Sequence, residues 1–288
     1  MCPTSSDPDI RHFQTSDGLS LAYDDAGDGL PLLCLAGLTR NMTDFDFVRP
    51  HLLKQCRVIR LDSRGRGRSD FDKDYMNYNI LRESEDVLEL LDHLGIAQTA
   101  ILGTSRGGMI AMVLGSGHPD RLLGACLNDI GPMIEPAGLA HIFGYLSVVP
   151  PQKTLDEAAR AIQETYAAKF PTVDLARWRA HVDHIYKQGA TGLELRYDAQ
   201  LRKSLIEQSA GDTLPSMWPL FDAFKGLPIA LIRGENSDIL SAETKAEMVK
   251  RRPDMLHTTV PDRGHVPFLD EPEALDLLTQ FIQRLEKH

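Results

Sequence analysis

Residues 99–114 have the sequence TAILGTSRGGMIAMVL, and this stretch decides how the chain folds. Its first four residues are typical of a buried strand, and its last eight are typical of a helix packed closely on a sheet. Glycines at 103 and 107 remove the Cβ atoms that would clash if the strand turned sharply into the helix. The stretch therefore predicts a strand–turn–helix unit with Ser105 at the turn. There the positive end of the helix would stabilise a serine nucleophile and a developing oxyanion.

Two other interpretations stay open for the pentapeptide Gly103–Gly107 alone. A Gly-Ser turn without function has the same composition. A phosphate-binding loop also joins a strand to a helix, but it ends in Gly-Lys-Ser or Gly-Lys-Thr, which this stretch lacks. The nucleophile interpretation requires an acid and a histidine later in the chain, in the right structural context.

Composition and charge limit the classes of protein to which the chain can belong. Its 288 residues, 42% of them hydrophobic and 25% charged, suit one elaborated globular domain or a domain with an insertion. The formal charge of −10 argues against a nucleic-acid partner. Arg64, Arg66 and Arg68 alternate with glycines after a strand-like run, and we predict a tight, solvated turn there.

Cysteine usage and hydropathy indicate a reducing compartment. The cysteines are Cys2, Cys34, Cys56 and Cys126; no pair has metal-site spacing, and the last three lie in apolar runs. Residues 1–7 lack the features of a signal peptide, and no apolar run approaches the ~20 residues of a membrane helix. We therefore expect a cytoplasmic protein without metal, cofactor, nucleic-acid or membrane partner. Its partner would be a small-molecule substrate, and it would be a monomer or a homodimer.

Strand and helix patterns alternate along most of the chain, which predicts an α/β fold with a doubly wound, mostly parallel sheet. A segment richer in proline, histidine and aromatic residues interrupts the alternation, and it predicts helices without strands. We interpret this segment as a helical lid inserted between two parts of one core. The final helix is predicted from Pro272, with Asp270 as a candidate cap. The predicted domains are residues 1–130 for the first part of the core, 131–219 for the lid and 220–288 for the second part.

An acid and a histidine follow Ser105 at the expected places. Asp238 lies in the loop that leaves the strand-like run 228–234, and His265 lies in the loop after the next such run, 257–260. In open parallel sheets, sites form outside the carboxyl ends of the strands, and all three residues fall at such ends. The order serine, acid, histidine is consistent with a nucleophile, its base and the acid that orients the base.

These motifs resemble those of the α/β-hydrolase family, in the serine esterase group with a helical lid. The resemblance covers roughly residues 12 to 286 and implies an eight-stranded-type sheet. Leu35-Ala36-Gly37-Leu38 is similar to the family's oxyanion loop, although many members have histidine where Ala36 stands. By this resemblance, the backbone N–H groups of Leu38 and Arg106 would bind the oxyanion. Two further motifs are shared, Asp-x-Arg-Gly-x-Gly-x-Ser at residues 62–69 and the Gly-His loop at 264–265.

The position of the acid is one point at which this chain departs from the family pattern. In many members the acid stands three residues after the strand-ending glycine, where this chain has Ser237. We predict Asp238, on a loop one residue longer. Asp129 is the reserve acid, because some members take the acid from that earlier strand end, and Glu235 is a weaker third candidate. For both reserves, loop capping and turn formation is the favoured role.

Other side chains near the predicted site are given ordinary roles. The Arg106 side chain either meets a substrate carboxylate or, as we favour, forms a salt bridge. His181 and His184, spaced i, i+3, are expected to be a solvated or pocket-lining pair rather than metal ligands. Aromatic residues of the lid could wall a pocket or simply pack helices: Phe143, Tyr145, Trp178, Tyr186 and Trp218.

The sequence therefore predicts a cofactor-free serine hydrolase that cleaves a small carboxylic ester through an acyl-enzyme. Cleavage of a carbon–carbon bond in a vinylogous diketone, and lactone hydrolysis, are alternatives within the same fold. A ligand-binding receptor with negligible turnover is an alternative of another class.

Overall fold

The computed structural model describes residues 9–208 and 216–288, and its centre is one eight-stranded sheet. The strand order is β1–β2–β4–β3–β5–β6–β9–β10. β2 pairs antiparallel with β1 and β4, and all other pairs are parallel, which confirms the predicted fold class. The strands are β1 Arg11–Gln14, β2 Ser20–Ala26, β3 Pro31–Leu35, β4 Arg57–Leu61, β5 Thr99–Thr104, β6 Leu122–Asn128, β9 Ile229–Gly234 and β10 Leu256–Val260.

Helices cover both faces of the sheet, because the parallel strands are apolar on both sides. On β5, Ile101 belongs to the core that packs against the helices following β4 and β5, whereas Ala100 and Leu102 belong to the core beneath the C-terminal helix. The helices are α1 Arg49–Leu52, α2 Ile80–His93, α3 Arg106–Gly117, α4 Pro136–Tyr145, α5 Leu155–Tyr166, α6 Leu175–Ile185, α7 Leu201–Gln208, α8 Trp218–Asp222, α9 Ala242–Arg251 and α10 Pro272–Leu285.

The segment between β6 and β9, which we call the insertion, contributes no strand to the main sheet within its described residues. The prediction that it has no strands is wrong, because β7 Tyr186–Gln188 and β8 Leu193–Leu195 form an antiparallel hairpin. These strands are only three residues long, too short for a period-two pattern to show in the sequence. Phe170, Trp178 and Val182 give the insertion a small core of its own, which also includes Phe268 of the main domain.

Much of the arginine-rich turn after β4 is buried, so the prediction of a solvated turn is wrong for Arg64 and Arg66, whereas Arg68 is exposed as predicted. Arg64 and Arg66 expose 0% and 1% of their side chains. Arg64 donates to both carboxylate oxygens of Asp86 on α2, at 2.7 and 2.6 Å, and also binds Asp72. Burial of these cations is possible because acidic partners brought by α2 compensate for the lost hydration.

The cap predicted for α10 is also wrong. Glu271, not Asp270, is the residue that precedes the helix, and it makes no side-chain capping bond. The Asp270 carboxylate instead accepts a hydrogen bond from Arg177 of α6 at 2.5 Å. Asp270 therefore ties the insertion to the main domain.

Cys34, Cys56 and Cys126 are buried free thiols, and Cys2 lies outside the described residues. In the part of the chain that is described, no helix is both long and apolar enough to cross a membrane.

Candidate active site

The turn between β5 and α3 holds Ser105 in a strained backbone conformation, with φ 50° and ψ −113°. The flanking glycines make this turn possible. A Cβ on Gly103 would lie 2.6 Å from backbone atoms of Gly107, and a Cβ on Gly107 would lie 2.1 Å from the carbonyl oxygen of Leu35. Side chains at these two positions would push α3 away from the sheet. The close approach raises Ser105 above the end of β5, as the sequence predicts.

Ser105, His265 and Asp129 form one hydrogen-bonded chain. Nε2 of His265 lies 3.0 Å from Oγ of Ser105, and Nδ1 lies 2.7 Å from Oδ2 of Asp129. Because a carboxylate only accepts hydrogen bonds, the imidazole proton belongs on Nδ1, which leaves Nε2 to accept from the serine hydroxyl. The geometry is that of a nucleophile, its base and an orienting acid.

Asp129 is held for this contact by its backbone and by two further donors. It follows β6 with a positive φ of 55° and is fully buried. Its Oδ1 accepts from the backbone N–H of Gly234 at 2.8 Å, and its Oδ2 accepts from the hydroxyl of Ser237 at 2.6 Å. The three donors, His265 included, compensate the buried carboxylate for its lost hydration.

Asp238 does not contact His265, and the prediction that it orients the imidazole is wrong. Its carboxylate pairs with Lys169 of the insertion and lies 3.3 Å from Nδ1 of His141 on α4. Burial acts to raise the pKa of Asp238, but the hydrogen bond and the charge of Lys169 outweigh it and hold the pKa below its ordinary value. Asp238 is therefore a link between the β9–α9 loop and the insertion.

The role predicted for the two reserve acids, Asp129 and Glu235, fits one of them better than the other. Asp129 caps the backbone N–H of Gly234, as the favoured role requires, but its other oxygen faces His265, so capping is not its only role. Glu235 fits that role, since its Oε2 accepts from the backbone N–H of Asp262 at 3.1 Å. One feature of the sequence points to Asp129, because Ser237 stands where many members of the family carry the acid. The hydroxyl of Ser237 instead donates to Asp129, which follows the neighbouring strand β6.

The predicted oxyanion-binding amides lie on either side of Ser105. Leu38 follows β3, which pairs directly with β5, and Arg106 begins α3. Among the described residues, neither backbone N–H donates to an acceptor, so both are free for a substrate oxygen. The Arg106 side chain forms a salt bridge with Glu83 at 2.8 Å, the role favoured from the sequence over a substrate carboxylate.

A cavity of about 370 Å³ opens above Ser105 and His265, between the sheet edge and the insertion. Of the aromatic residues predicted for its wall, Tyr145, Trp178 and Tyr186 line it, whereas Phe143 and Trp218 are not among the lining residues. Its wall is largely apolar and includes Phe47, Ile142, Ile162, Tyr166, Phe170 and Phe268.

Charged side chains at the cavity are paired. Nε and Nη2 of Arg40 donate to the carboxylate of Asp44 at 2.7 and 2.5 Å. Nδ1 of His181 lies 3.4 Å from Nη2 of Arg40, and burial holds the pKa of His181 well below its ordinary value. The imidazole is therefore neutral near pH 7, and Nη1 of Arg40 has no hydrogen-bond partner within residues 9–208 and 216–288. Sequence reasoning missed Arg40, since no motif marks it.

Comparisons with known proteins agree with this geometry. The sequence profile of the alpha/beta hydrolase fold matches residues 31–272. A 3-hydroxybutyrate-oligomer hydrolase of Cupriavidus necator is 36% identical over 91% of this chain and 92% of its own length. A 2-(acetamidomethylene)succinate hydrolase of Mesorhizobium japonicum is 24% identical over 92% of each chain.

A solved structure is also similar over nearly its full length. An alpha/beta hydrolase from Novosphingobium aromaticivorans has a TM-score of 0.90 and 37% identity, covering 96% of this chain and 98% of that one. The family profile matches residues 31–272, and the proteins from Cupriavidus necator and Novosphingobium aromaticivorans match 91% and 96% of this chain at 36% and 37% identity. The chain therefore belongs to the alpha/beta hydrolase fold family and is a hydrolase of that type.

Proposed function

We propose that this protein is a serine hydrolase that cleaves esters of small hydroxy acids through an acyl-enzyme. One observation carries the proposal, the continuous hydrogen-bonded chain from Ser105 through His265 to Asp129. A serine hydroxyl attacks a carbonyl only when a base takes its proton, and an oriented neutral imidazole is the base that this chemistry requires.

The reaction follows from the positions of these groups. Oγ of Ser105 bonds to the ester carbonyl carbon as its proton moves to Nε2 of His265. The backbone N–H groups of Leu38 and Arg106 bind the resulting oxyanion. The intermediate collapses as the C–O bond to the alcohol breaks and Nε2 of His265 passes the proton to the leaving oxygen. A water molecule then attacks the acyl carbon while His265 takes its proton. The bond from that carbon to Oγ of Ser105 breaks, the proton passes to Oγ, and the acid and the free serine are released.

Three features support a hydroxy-acid ester as substrate. The relative from Cupriavidus necator is, by its name, a hydrolase of 3-hydroxybutyrate oligomers. Each unit of such an oligomer has a small apolar body and an ester carbonyl, which suits a cavity of about 370 Å³ with mostly apolar walls. Nη1 of Arg40 offers free N–H donors at that cavity to an oxygen beyond the scissile ester.

Turnover of the dimer of (R)-3-hydroxybutyrate by wild type and by Ser105→Ala tests the proposal. Wild type should release two 3-hydroxybutyrate molecules per dimer, and the variant should lose at least ~1000-fold in kcat with an unchanged melting temperature. The matched control is Ser241→Ala, because Ser241 caps α9 and contacts none of the three residues, so this variant should keep the activity. Full activity of Ser105→Ala would exclude the proposed nucleophile.

The outcome also separates the alternatives. If a fluorophosphonate labels Ser105 but no ester, lactone or vinylogous diketone is turned over, the protein is a receptor rather than an enzyme. If lactones are preferred over linear esters by more than about tenfold in kcat/KM, ester cleavage is right and the substrate class is wrong. If vinylogous diketones are preferred by the same margin, the enzyme cleaves a carbon–carbon bond and ester hydrolysis is wrong as its main reaction.

A further inference from the structure

Glu83 is a buried carboxylate that binds two arginines, and the proposed chemistry does not use it directly. It lies in the first turn of α2, and its side chain is 1% exposed. Its Oε1 accepts from Nη1 of Arg66 at 2.8 Å and from Nη2 of Arg106 at 2.9 Å, and its Oε2 accepts from Nε of Arg106 at 2.8 Å. Both oxygens of this carboxylate are therefore occupied by guanidinium donors.

Each of the two arginines is connected to one of the two backbone amides of the oxyanion hole. Nε of Arg66 donates to the carbonyl oxygen of Leu38 at 2.9 Å, which fixes the backbone of the residue that provides the first amide. Arg106 itself provides the second amide, and its Nη2 also donates to the carbonyl of Tyr78 at 3.0 Å. A single carboxylate thus connects the oxyanion loop after β3 with the start of α3.

The charge of Glu83 is needed for this arrangement. Two buried guanidinium groups that share one partner repel each other, and their burial limits the hydration that could replace a lost carboxylate oxygen. Nη2 of Arg66 has no hydrogen-bond partner within the described part of the chain, so Arg66 depends on the few contacts that it makes. Without the negative charge of Glu83, both guanidinium groups would shift. A shift of Arg66 would displace Leu38, to which it is hydrogen-bonded, and a shift of the Arg106 side chain would displace its own backbone N–H.

We propose that Glu83 is a positioning residue that sets the geometry of the oxyanion hole, acting on Leu38 through Arg66 and on Arg106 through its side chain. The inference rests on the proposed function, because it concerns the donors that bind the oxyanion. A shift of the amides by a fraction of an ångström weakens binding of the transition state more than binding of the ester, since the donors are aimed at the developing charge.

The same helix offers a matched control. Asp86 lies three residues further along α2, is also 1% exposed, and also binds an arginine through both oxygens. The Arg64 side chain that it binds contacts Asp17 and Asp72, and it reaches neither oxyanion residue. Asp86 also pairs with Arg82, and the backbone carbonyl of Arg64 accepts from Nη1 of Arg66. Loss of either carboxylate charge deprives a buried arginine of an acidic partner, but only the Glu83 carboxylate binds the side chains of Arg66 and Arg106 directly.

The experiment compares Glu83→Gln with Asp86→Asn in three measurements: melting temperature, kcat and KM for the 3-hydroxybutyrate dimer, and affinity for a trifluoromethyl ketone. The ketone forms a Ser105 adduct whose oxygen occupies the oxyanion hole. For Glu83→Gln we expect kcat to fall about 30-fold, KM to change less than threefold, and ketone affinity to fall in parallel with kcat. Asp86→Asn should lose a similar amount of thermal stability but keep kcat and ketone affinity within about threefold.

Equal effects of the two variants on kcat and ketone affinity would overturn the inference and assign Glu83 a purely structural role. If Glu83→Gln does not fold, Arg106→Lys and Arg106→Met replace it. Lysine can keep one contact to Glu83, so it should retain more ketone affinity than methionine, and equal affinities would again overturn the inference. Wild type that neither turns over esters nor binds the ketone would contradict the proposed function instead, which separates the two failures.

Discussion

The imidazole of His265 donates its Nδ1–H to Asp129 across 2.7 Å, although 136 residues separate the two along the chain. Asp129 follows β6, the strand next to β5, so the acid stands one strand away from Ser105 in the sheet. Asp238, two strands away, binds the insertion instead. The acid and the histidine therefore come from strand ends on one side of the nucleophile, and the oxyanion loop comes from β3 on the other.

Substitution of the two acids separates their roles. Asp129→Asn should lower kcat by about 10³- to 10⁴-fold, because an amide at this position no longer holds the imidazole in the required tautomer. Asp238→Asn should lower kcat less than about tenfold. Steady-state kinetics with the 3-hydroxybutyrate dimer measures both. The assignment of the acid is wrong if Asp238→Asn proves the more damaging change.

Ser237 supports the acid rather than replacing it. Its hydroxyl donates to Oδ2 of Asp129, the same oxygen that accepts from His265. Ser237→Ala leaves this buried oxygen with one donor fewer, and we expect kcat to fall about tenfold with little change in KM. Ser241→Ala is the matched control, because Ser241 caps α9 without contacting Asp129. Equal kcat values for the two variants would contradict a role for Ser237.

Arg40 is expected to affect recognition of longer substrates. Arg40→Met removes the free Nη1 donors at the cavity, so KM for the 3-hydroxybutyrate dimer should rise about tenfold. KM for a short aryl acetate, which has no oxygen acceptor beyond its single ester, should change less than twofold. Separate steady-state assays give the two KM values, and competition between the substrates in one assay gives the ratio of their kcat/KM values, which should shift about tenfold against the dimer. A parallel rise in both KM values would mean that the substitution distorts the loop that also contains Leu38.

The link between Asp238 and Lys169 makes a part of the stability dependent on pH. The folded pKa of Asp238 lies below its ordinary value, so its contribution is present above the unfolded pKa of about 3.9 and is lost as the pH falls through the folded pKa. At pH 7, Asp238→Asn should lower the melting temperature by about 2 to 4 °C. Thermal scans between pH 7 and pH 2 should show this difference shrink below pH 4. A difference that stays constant would exclude the ion pair as its source.

The close approach of α3 to β3 leaves no room for a side chain at residue 107. Gly107→Ala places a Cβ 2.1 Å from the carbonyl oxygen of Leu35, and it should destabilise the fold by about 3 kcal/mol or prevent folding. Gly117→Ala, at the other end of α3, meets no atom within 4 Å and should be neutral or slightly stabilising. Chemical denaturation of both variants checks the contrast, and similar midpoints would contradict it.

Local patterns in the sequence were enough to predict the elements of the main sheet and the residues with strong local signatures. Ser105 was predictable because a sharp strand–turn–helix needs glycines at fixed positions, and His265 was predictable because it follows the last strand in a recognisable loop. The sheet was predictable because buried strands and amphipathic helices alternate along the chain. These signals depend on neighbours in the sequence, so they can be found without tertiary structure.

Contacts between distant segments set which acid faces His265, where the arginines of the 64–68 turn lie, and what connects the two sides of the oxyanion hole. Asp129, Asp238 and Glu235 all follow strand ends, and their order along the chain does not tell which carboxylate points to the imidazole. Arg66 and Glu83 meet because α2 packs beside the turn, a contact between distant segments. Burial of a charge depends on whether a partner arrives in space, and no local pattern contains that information.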